Sequence, residues 1–225
     1  MTVKKIGMIT IGQSPREDIV PEMKRFLGEE IEVLEAGALD GLNLEQVRQF
    51  QPRKGDYTLC TRMADGTEVV IGKRFILPRI QDQINRLTRK GAEIILLLCT
   101  GKFPHFSSKR LLIEPQKMVD HFMLALEGEN RRIGLMVPLE AQVEQAGKKY
   151  KGLKGGLSIQ AASPYAPGDE VTLAAKALKR NRPGVVVMHC MGYTLAMKDR
   201  VREITGVPVI LARSLVARTL KELIS

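Results

Sequence analysis

Short apolar runs of strand length alternate along this chain with segments of helical period, and that alternation constrains the fold most. Strand candidates lie at residues 6–10, 31–36, 94–99, 133–137, 157–161, 185–190 and 207–211. Helical stretches begin near Pro15, Leu44, Phe75, Pro115, Leu139, Asp169, Leu195 and Ala212. Such alternation predicts an α/β fold with parallel strands joined by crossover helices, not a sandwich or a bundle. Aromatic residues make up only 4% of the chain and tryptophan is absent. The core therefore rests on Ile, Leu, Val, Met and Ala, which suits strands buried on both faces. One interruption is expected: residues 57–63 and 67–71 flank Ala64-Asp65-Gly66 and read as a β-hairpin.

The alternation contains a repeat. Lys4-Lys5-Ile6-Gly7-Met8-Ile9 matches Arg131-Arg132-Ile133-Gly134-Leu135-Met136. Ile94-Ile95-Leu96-Leu97-Leu98-Cys99-Thr100-Gly101 matches Val185-Val186-Val187-Met188-His189-Cys190-Met191-Gly192. Each half thus opens with a basic-Ile-Gly strand and closes with a strand ending in Cys-X-Gly. A length of 225 residues accommodates two lobes of about 100 residues each. The expected division is an N-terminal lobe of residues 1–113 plus 212–225, carrying the hairpin, and a second lobe of residues 114–211 related to it by pseudo-symmetry. In open parallel sheets ligands bind beyond the carboxyl ends of the strands. The cysteines are expected there, on opposite walls of one interlobe cleft, with Gly101 and Gly192 letting the backbone turn sharply or approach a ligand.

Several classes are set aside. No apolar run reaches the roughly 18 residues of a membrane span. The basic, apolar start at residues 1–12 runs into Gln13-Ser14-Pro15-Arg16-Glu17-Asp18 with no small-residue cleavage pattern, and reads as a first strand. The expected location is cytoplasmic. Cys60, Cys99 and Cys190 form no CxxC pair, and neither a disulfide framework nor a structural zinc site is expected. The scattered His105, His121 and His189 make no metal site, and no cofactor loop is present. The formal charge of +10 favours an anionic partner or is a solvated lysine surface. Nucleic acid is a poor fit, because basic residues are dispersed and aromatics few. A homodimer is compatible with such a fold.

These residues resemble the aspartate/glutamate racemase superfamily, whose duplicated lobes each contribute a strand-end cysteine. The opening Thr10-Ile11-Gly12-Gln13-Ser14-Pro15-Arg16-Glu17-Asp18 is similar, more narrowly, to the AroM family. So are Leu112-Ile113-Glu114-Pro115, Val137-Pro138-Leu139-Glu140 and the Cys190-Met191-Gly192-Tyr193 turn. The resemblance implies a two-lobed racemase-like fold. Superfamily racemases place Asn-Thr after the first cysteine and Thr-His after the second. Here Cys99 precedes Thr100-Gly101 and Cys190 precedes Met191-Gly192. The thiols are kept and their flanking residues are not. His189 precedes Cys190, and strand alternation points it away from that thiol.

Moving a proton across a carbon needs a base on one face and an acid on the other. Two thiols serve if one is ionised, although an unperturbed thiol titrates near 8.5. Helix N-termini and cations such as Lys102, Lys198 and Arg200 would favour the thiolate. The bland alternative is a pair of small buried hydrophobes; Cys60 is assigned to structure. Donors for a substrate carboxylate are expected from Gly12, Gln13 and Ser14, at the mouth of the first helix, and from Arg16 as a bidentate clamp. Ser14 and Pro15 could instead cap that helix, and Arg16 could be a solvated surface residue. Thr100, Tyr193 and Thr194 offer hydroxyls, Thr194 also as a helix cap. Glu140 suits the first turn of its helix, Ser163-Pro164-Tyr165 could close the cleft, and Gly152, Gly155 and Gly156 mark an exposed turn. The expected function is an enzyme acting on a small carboxylic acid or amino acid by cysteine-based proton transfer. One-thiol nucleophilic chemistry and a non-catalytic small-anion binding or regulatory protein are the alternatives.

Overall fold

The computed structural model describes residues 5–128 and 131–225; Met1, Thr2, Val3 and Lys4, part of the expected first strand, lie outside them. The chain divides into two compact units, one running to Gln116 and including Val216–Ser225, the other Lys117–Leu215.

The first unit contains β1 (Lys5–Thr10), α1 (Val20–Leu27), β2 (Glu32–Gly37), α2 (Leu44–Arg48), β3 (Thr58–Arg62), β4 (Glu68–Gly72), a 3-10 turn at Lys73–Phe75, α3 (Leu77–Arg89), β5 (Ile94–Leu97) and β6 (Leu111–Ile113). Then α4 (Pro115–Ala125) leads into the second unit. There follow β7 (Ile133–Val137), α5 (Glu140–Lys149), β8 (Leu157–Ala161), α6 (Glu170–Arg180), β9 (Val185–Met188), α7 (Leu195–Thr205), β10 (Val209–Leu211) and α8 (Ala212–Ile224).

Each unit holds a four-stranded parallel sheet, in the orders β2-β1-β5-β6 and β8-β7-β9-β10. The opening strand lies inside, the strand after it at one edge, and the cysteine-bearing strand on its other side. Register confirms the repeat residue by residue. Ile6 faces Val33 and Ile94, as Ile133 faces Leu157 and Val185. Leu97 thus corresponds to Met188, and two residues later Cys99 corresponds to Cys190.

Apolar side chains cover these strands on both sides, as the composition requires. In the first unit Ile80, Ile84 and Leu87 of α3 pack with Ile9, Ile95 and Leu97. In the second, Ala174, Ala175 and Leu178 of α6 pack with Met136, Val186 and Met188. The hairpin forms as expected: β3 and β4 pair antiparallel, and Leu59 and Ile71 turn into the first core. No helix of the described residues is long and apolar enough to cross a membrane.

Three local expectations need correction. The first helix begins at Val20 and not near Pro15, because the segment before it, which contains a cis Ser14-Pro15 peptide, is held by side-chain bonds to other elements. Strands β5 and β9 stop at Leu97 and Met188, so both cysteines occupy turns beyond their strands. Strand β6 has no counterpart among the expected strands; at three residues with Leu111 exposed, it carries too short an apolar signal.

Candidate active site

The strand order fixes where a ligand can enter. From β1 the chain passes to β2 on one side, while β5 lies on the other, and β7, β8 and β9 repeat the arrangement. In sheets of this kind a ligand crevice is expected beyond the carboxyl ends, at the point where the crossovers diverge. In the first unit that point lies between β1 and β5, in the second between β7 and β9. Cys99 and Cys190 each stand at it.

The two thiol turns are built alike. The Gly101 N–H donates to Cys99 Sγ at 3.3 Å, and the Gly192 N–H to Cys190 Sγ at 3.3 Å. Both cysteines are partly exposed, whereas Cys60 is buried. A matching backbone bond precedes each turn, Leu98 N–H to the Ile9 carbonyl and His189 N–H to the Met136 carbonyl. Both glycines have close neighbours. A Cβ on Gly101 would stand 2.8 Å from Leu59 of the hairpin, and one on Gly192 would stand 2.3 Å from the Tyr165 hydroxyl. The first turn is thus covered by the hairpin and the second by Pro164 and Tyr165.

Residues 12–16 were expected to cradle an anion, and the structure gives their donors other partners. The N–H of Gly12 goes to Thr10 Oγ1, that of Gln13 to the Arg62 carbonyl, that of Ser14 to Asp40 Oδ1 and that of Arg16 to Glu35 Oε2. Ser14 Oγ also donates to Asp40, at 2.7 Å, and caps no helix. The Gln13 amide binds the Leu39 and Leu42 carbonyls and accepts from the Ala64 N–H. Arg16 is 2% exposed, neither a surface residue nor an open clamp. Its Nε and Nη2 fork onto Asp18 at 2.9 and 2.8 Å while Nη1 donates to Thr10. Burial opposes the Asp18 charge, but the Arg16 bonds and the charges of Arg16 and Arg62 hold this carboxyl below its ordinary range. Glu35 moves the other way: burial raises it, against the Arg16 N–H and charge, and Asp18 and Asp40 add to the rise. This turn is a clasp of side chains.

The second unit differs. Helix α5 opens at the switch point with no side-chain cap from Leu139; the Gln142 N–H donates to the Leu139 carbonyl at 2.9 Å, and the N–H groups ahead of it lie before the helical ladder begins. Glu140 is exposed in that turn. Tyr193 is fully buried in the second core, its hydroxyl donating to the Ala162 carbonyl at 2.6 Å. Thr194 caps α7 by accepting from the Met197 N–H, which leaves its own proton to donate. Thr100 is buried at 7% exposure. Arg213, absent from the sequence-based candidates, lies fully buried in the first turn of α8. It donates from Nε to the Met191 carbonyl at 2.9 Å and from Nη2 to the Gly192 carbonyl at 3.0 Å. Its one sequence signal is a position just past an apolar strand.

His189 is engaged by side chains of its own unit. Its Nε2 lies 3.0 Å from the Tyr150 hydroxyl, which donates to Asp120 at 2.5 Å beside Lys149 at 2.6 Å. Burial opposes the Asp120 charge, yet bonds from His189, Lys149 and Tyr150 hold this carboxyl at about 2. His105 and His121 are exposed. Among the described residues no group of three or more His, Cys, Asp or Glu side chains could hold a metal ion.

Known proteins place this architecture. A double mutant of arylmalonate decarboxylase in its liganded form superposes with TM-score 0.59 at 16% identity, over 98% of this chain and 92% of that one. Allantoin racemase from Klebsiella pneumoniae gives 0.60 at 14%, over 98% and 87%. The Nocardia farcinica maleate cis-trans isomerase gives 0.59 at 15%, over 97% and 91%. Aspartate and glutamate racemases share the fold as well. No curated protein matches by sequence. At these identities the structural likeness establishes the fold alone, one that the arylmalonate decarboxylase, the isomerase and the racemases share. The family model described as AroM protein matches residues 6–224, nearly the whole sequence, and the chain belongs to the AroM family.

Proposed function

We propose that this protein is an enzyme that moves a proton at a carbon of a small carboxylic acid or amino acid, with Cys99 and Cys190 as the proton carriers. The observation that carries this reading is the matched pair of turns. Two partly exposed thiols sit at equivalent switch points, each taking an N–H from the glycine two residues on. Structural cysteines have no need of equal places in a repeat, or of a donor aimed at each sulfur.

The step balances without a cofactor. A thiolate takes the proton from the substrate carbon, becoming a thiol and leaving a carbanion stabilised by the adjacent carboxyl. The second thiol delivers its proton to that carbanion and becomes the thiolate. Return in the opposite sense restores the pair. Substrate donors in this reading come from the N-terminus of α5 and the Thr194 hydroxyl, since Gly12, Gln13, Ser14 and Arg16 are engaged within their own unit. Support for thiol chemistry in this fold comes from the maleate cis-trans isomerase, solved with a covalently bound succinylcysteine intermediate.

Proton exchange tests the proposal. Mono- and dicarboxylates, keto acids and amino acids that raise the melting temperature are incubated with the protein in heavy water and followed by proton NMR. At least one should exchange its carbon-bound proton, and Cys99→Ala and Cys190→Ala should each abolish net inversion or isomerisation. Exchange that survives undiminished in both variants, or no exchange with any stabilising ligand, would remove the proposal.

A further inference from the structure

We infer that the two thiols are unequal, with Cys190 carrying the negative charge of the resting pair and Arg213 the positioning residue that holds it there. The inference rests on the thiol chemistry proposed above and assigns the direction in which the pair is set.

The reasoning follows one peptide plane. The peptide between Met191 and Gly192 presents its N–H to Cys190 Sγ at 3.3 Å. Its other end, the Met191 carbonyl, accepts from Arg213 Nε at 2.9 Å, and the next carbonyl, Gly192, accepts from Nη2 at 3.0 Å. A guanidinium bonded to two successive carbonyls prevents this peptide from flipping its N–H away from the sulfur. It also polarises the peptide, because a charged donor at the oxygen leaves the N–H a stronger donor. Since Arg213 is fully buried, water does little to screen its charge.

The repeat supplies an internal control. Register pairs Ile95 with Leu112, and Val186 with Val209; Pro115, which opens α4, therefore corresponds to Ala212, which opens α8. One residue later, the counterpart of Arg213 is Gln116. By register, Gln116 thus holds in the first repeat the chain position that Arg213 holds in the second; the cations nearest Cys99 along its turn are the exposed Lys102 and the partly exposed Lys73, whose Nζ donates to the Lys102 carbonyl. Hydrogen bonding to a charged form favours that form, and favours it more when the donor is backed by positive charge. Cys190 is the thiolate that takes the proton in the first direction of reaction, and Cys99 the thiol that gives one.

The test uses the protein without ligand, so it can fail while turnover stands, and turnover can fail while it stands. The ultraviolet thiolate absorbance at neutral pH should persist in Cys99→Ala and vanish in Cys190→Ala. Iodoacetamide labelling, read by peptide mass spectrometry that separates all three cysteines, should modify Cys190 faster than Cys99. Arg213→Gln, which copies the first unit into the second, should slow Cys190 about tenfold and leave Cys99 unchanged. Arg213→Lys, which keeps a charge, should recover part of the loss. If Arg213→Gln does not fold, the two alanine variants still decide. Thiolate absorbance that follows Cys99, thiolate absorbance at neither cysteine, or an unchanged Cys190 rate in folded Arg213→Gln would each overturn the inference.

Discussion

Replacing Asp18 by Asn separates a structural Arg16 from a substrate clamp. The Arg16 side chain is 3% exposed and that of Asp18 19%, and they meet through two parallel bonds at 2.9 and 2.8 Å. Removing one charge of a buried pair strands the other and costs about 3–5 kcal/mol. Asn keeps one acceptor oxygen for the fork, which puts the expected loss near the lower end, about 3 kcal/mol. For a chain of this size that is a fall in Tm of roughly 6–12 °C. The same cycle should be closed with Arg16→Met and the double variant, followed by circular dichroism in heat and urea. The double variant removes both charges of the fork and leaves only the weaker Arg62 contact with Asp18, at 3.8 Å, and the Glu35 charge without their partners, so its loss should fall short of the sum of the two single losses. An open clamp gives the opposite pattern: Asp18→Asn would free the guanidinium and tighten carboxylate binding with little change in Tm. A fall below about 2 °C, or strictly additive losses, would refute the clasp.

Two further outcomes can be measured directly. Asp120 titrates at about 2 instead of 3.8, so its contribution is fully present above the unfolded value and disappears as pH falls through the folded one. Roughly 2 kcal/mol of stability should therefore be lost between about pH 4 and pH 2, and urea melts of Asp120→Asn should show a flatter profile over that range. Gly192→Ala would set a Cβ 2.3 Å from the Tyr165 hydroxyl and 2.8 Å from Pro164; displacing that cover should cost about 1–3 kcal/mol. Iodoacetamide should then reach Cys190 faster, while labelling of Cys99 stays as it was.

What the sequence discloses follows from how far each signal reaches along the chain. The strands and helices are legible because burial on both faces writes itself as continuous apolar runs, and the repeat because equivalent strands need equivalent residues at equivalent registers. The hairpin is legible from a local turn. The clasp is not: Ser14 meets Asp40, and the Arg16 N–H meets Glu35, only once β1 and β2 lie side by side. Read singly, Gly12-Gln13-Ser14-Pro15 is indistinguishable from an anion-binding turn, since both uses want small residues and free N–H groups. Arg213 is hidden for a similar reason. A charged residue in a sequence reads as surface, and only the returning Cys190 turn supplies the carbonyls that make its burial tolerable. Tyr193 shows the converse, a hydroxyl expected to face a ligand that satisfies a backbone carbonyl in the core instead.

The hairpin has a consequence for how such a protein can diversify. One thiol turn is roofed by Leu59, on a ribbon with no counterpart among the described residues of the other repeat. Residues of that ribbon lie outside the parallel sheet, so drift there leaves the strands that build both turns intact. Inheritance can therefore reshape what surrounds Cys99 through the ribbon residues that do not face the core, Leu59 and Ile71 being fixed in it, while any comparable change around Cys190 must be made in the connection that follows β8. Related chains should differ most in the residues that surround the first thiol turn on the side the ribbon covers.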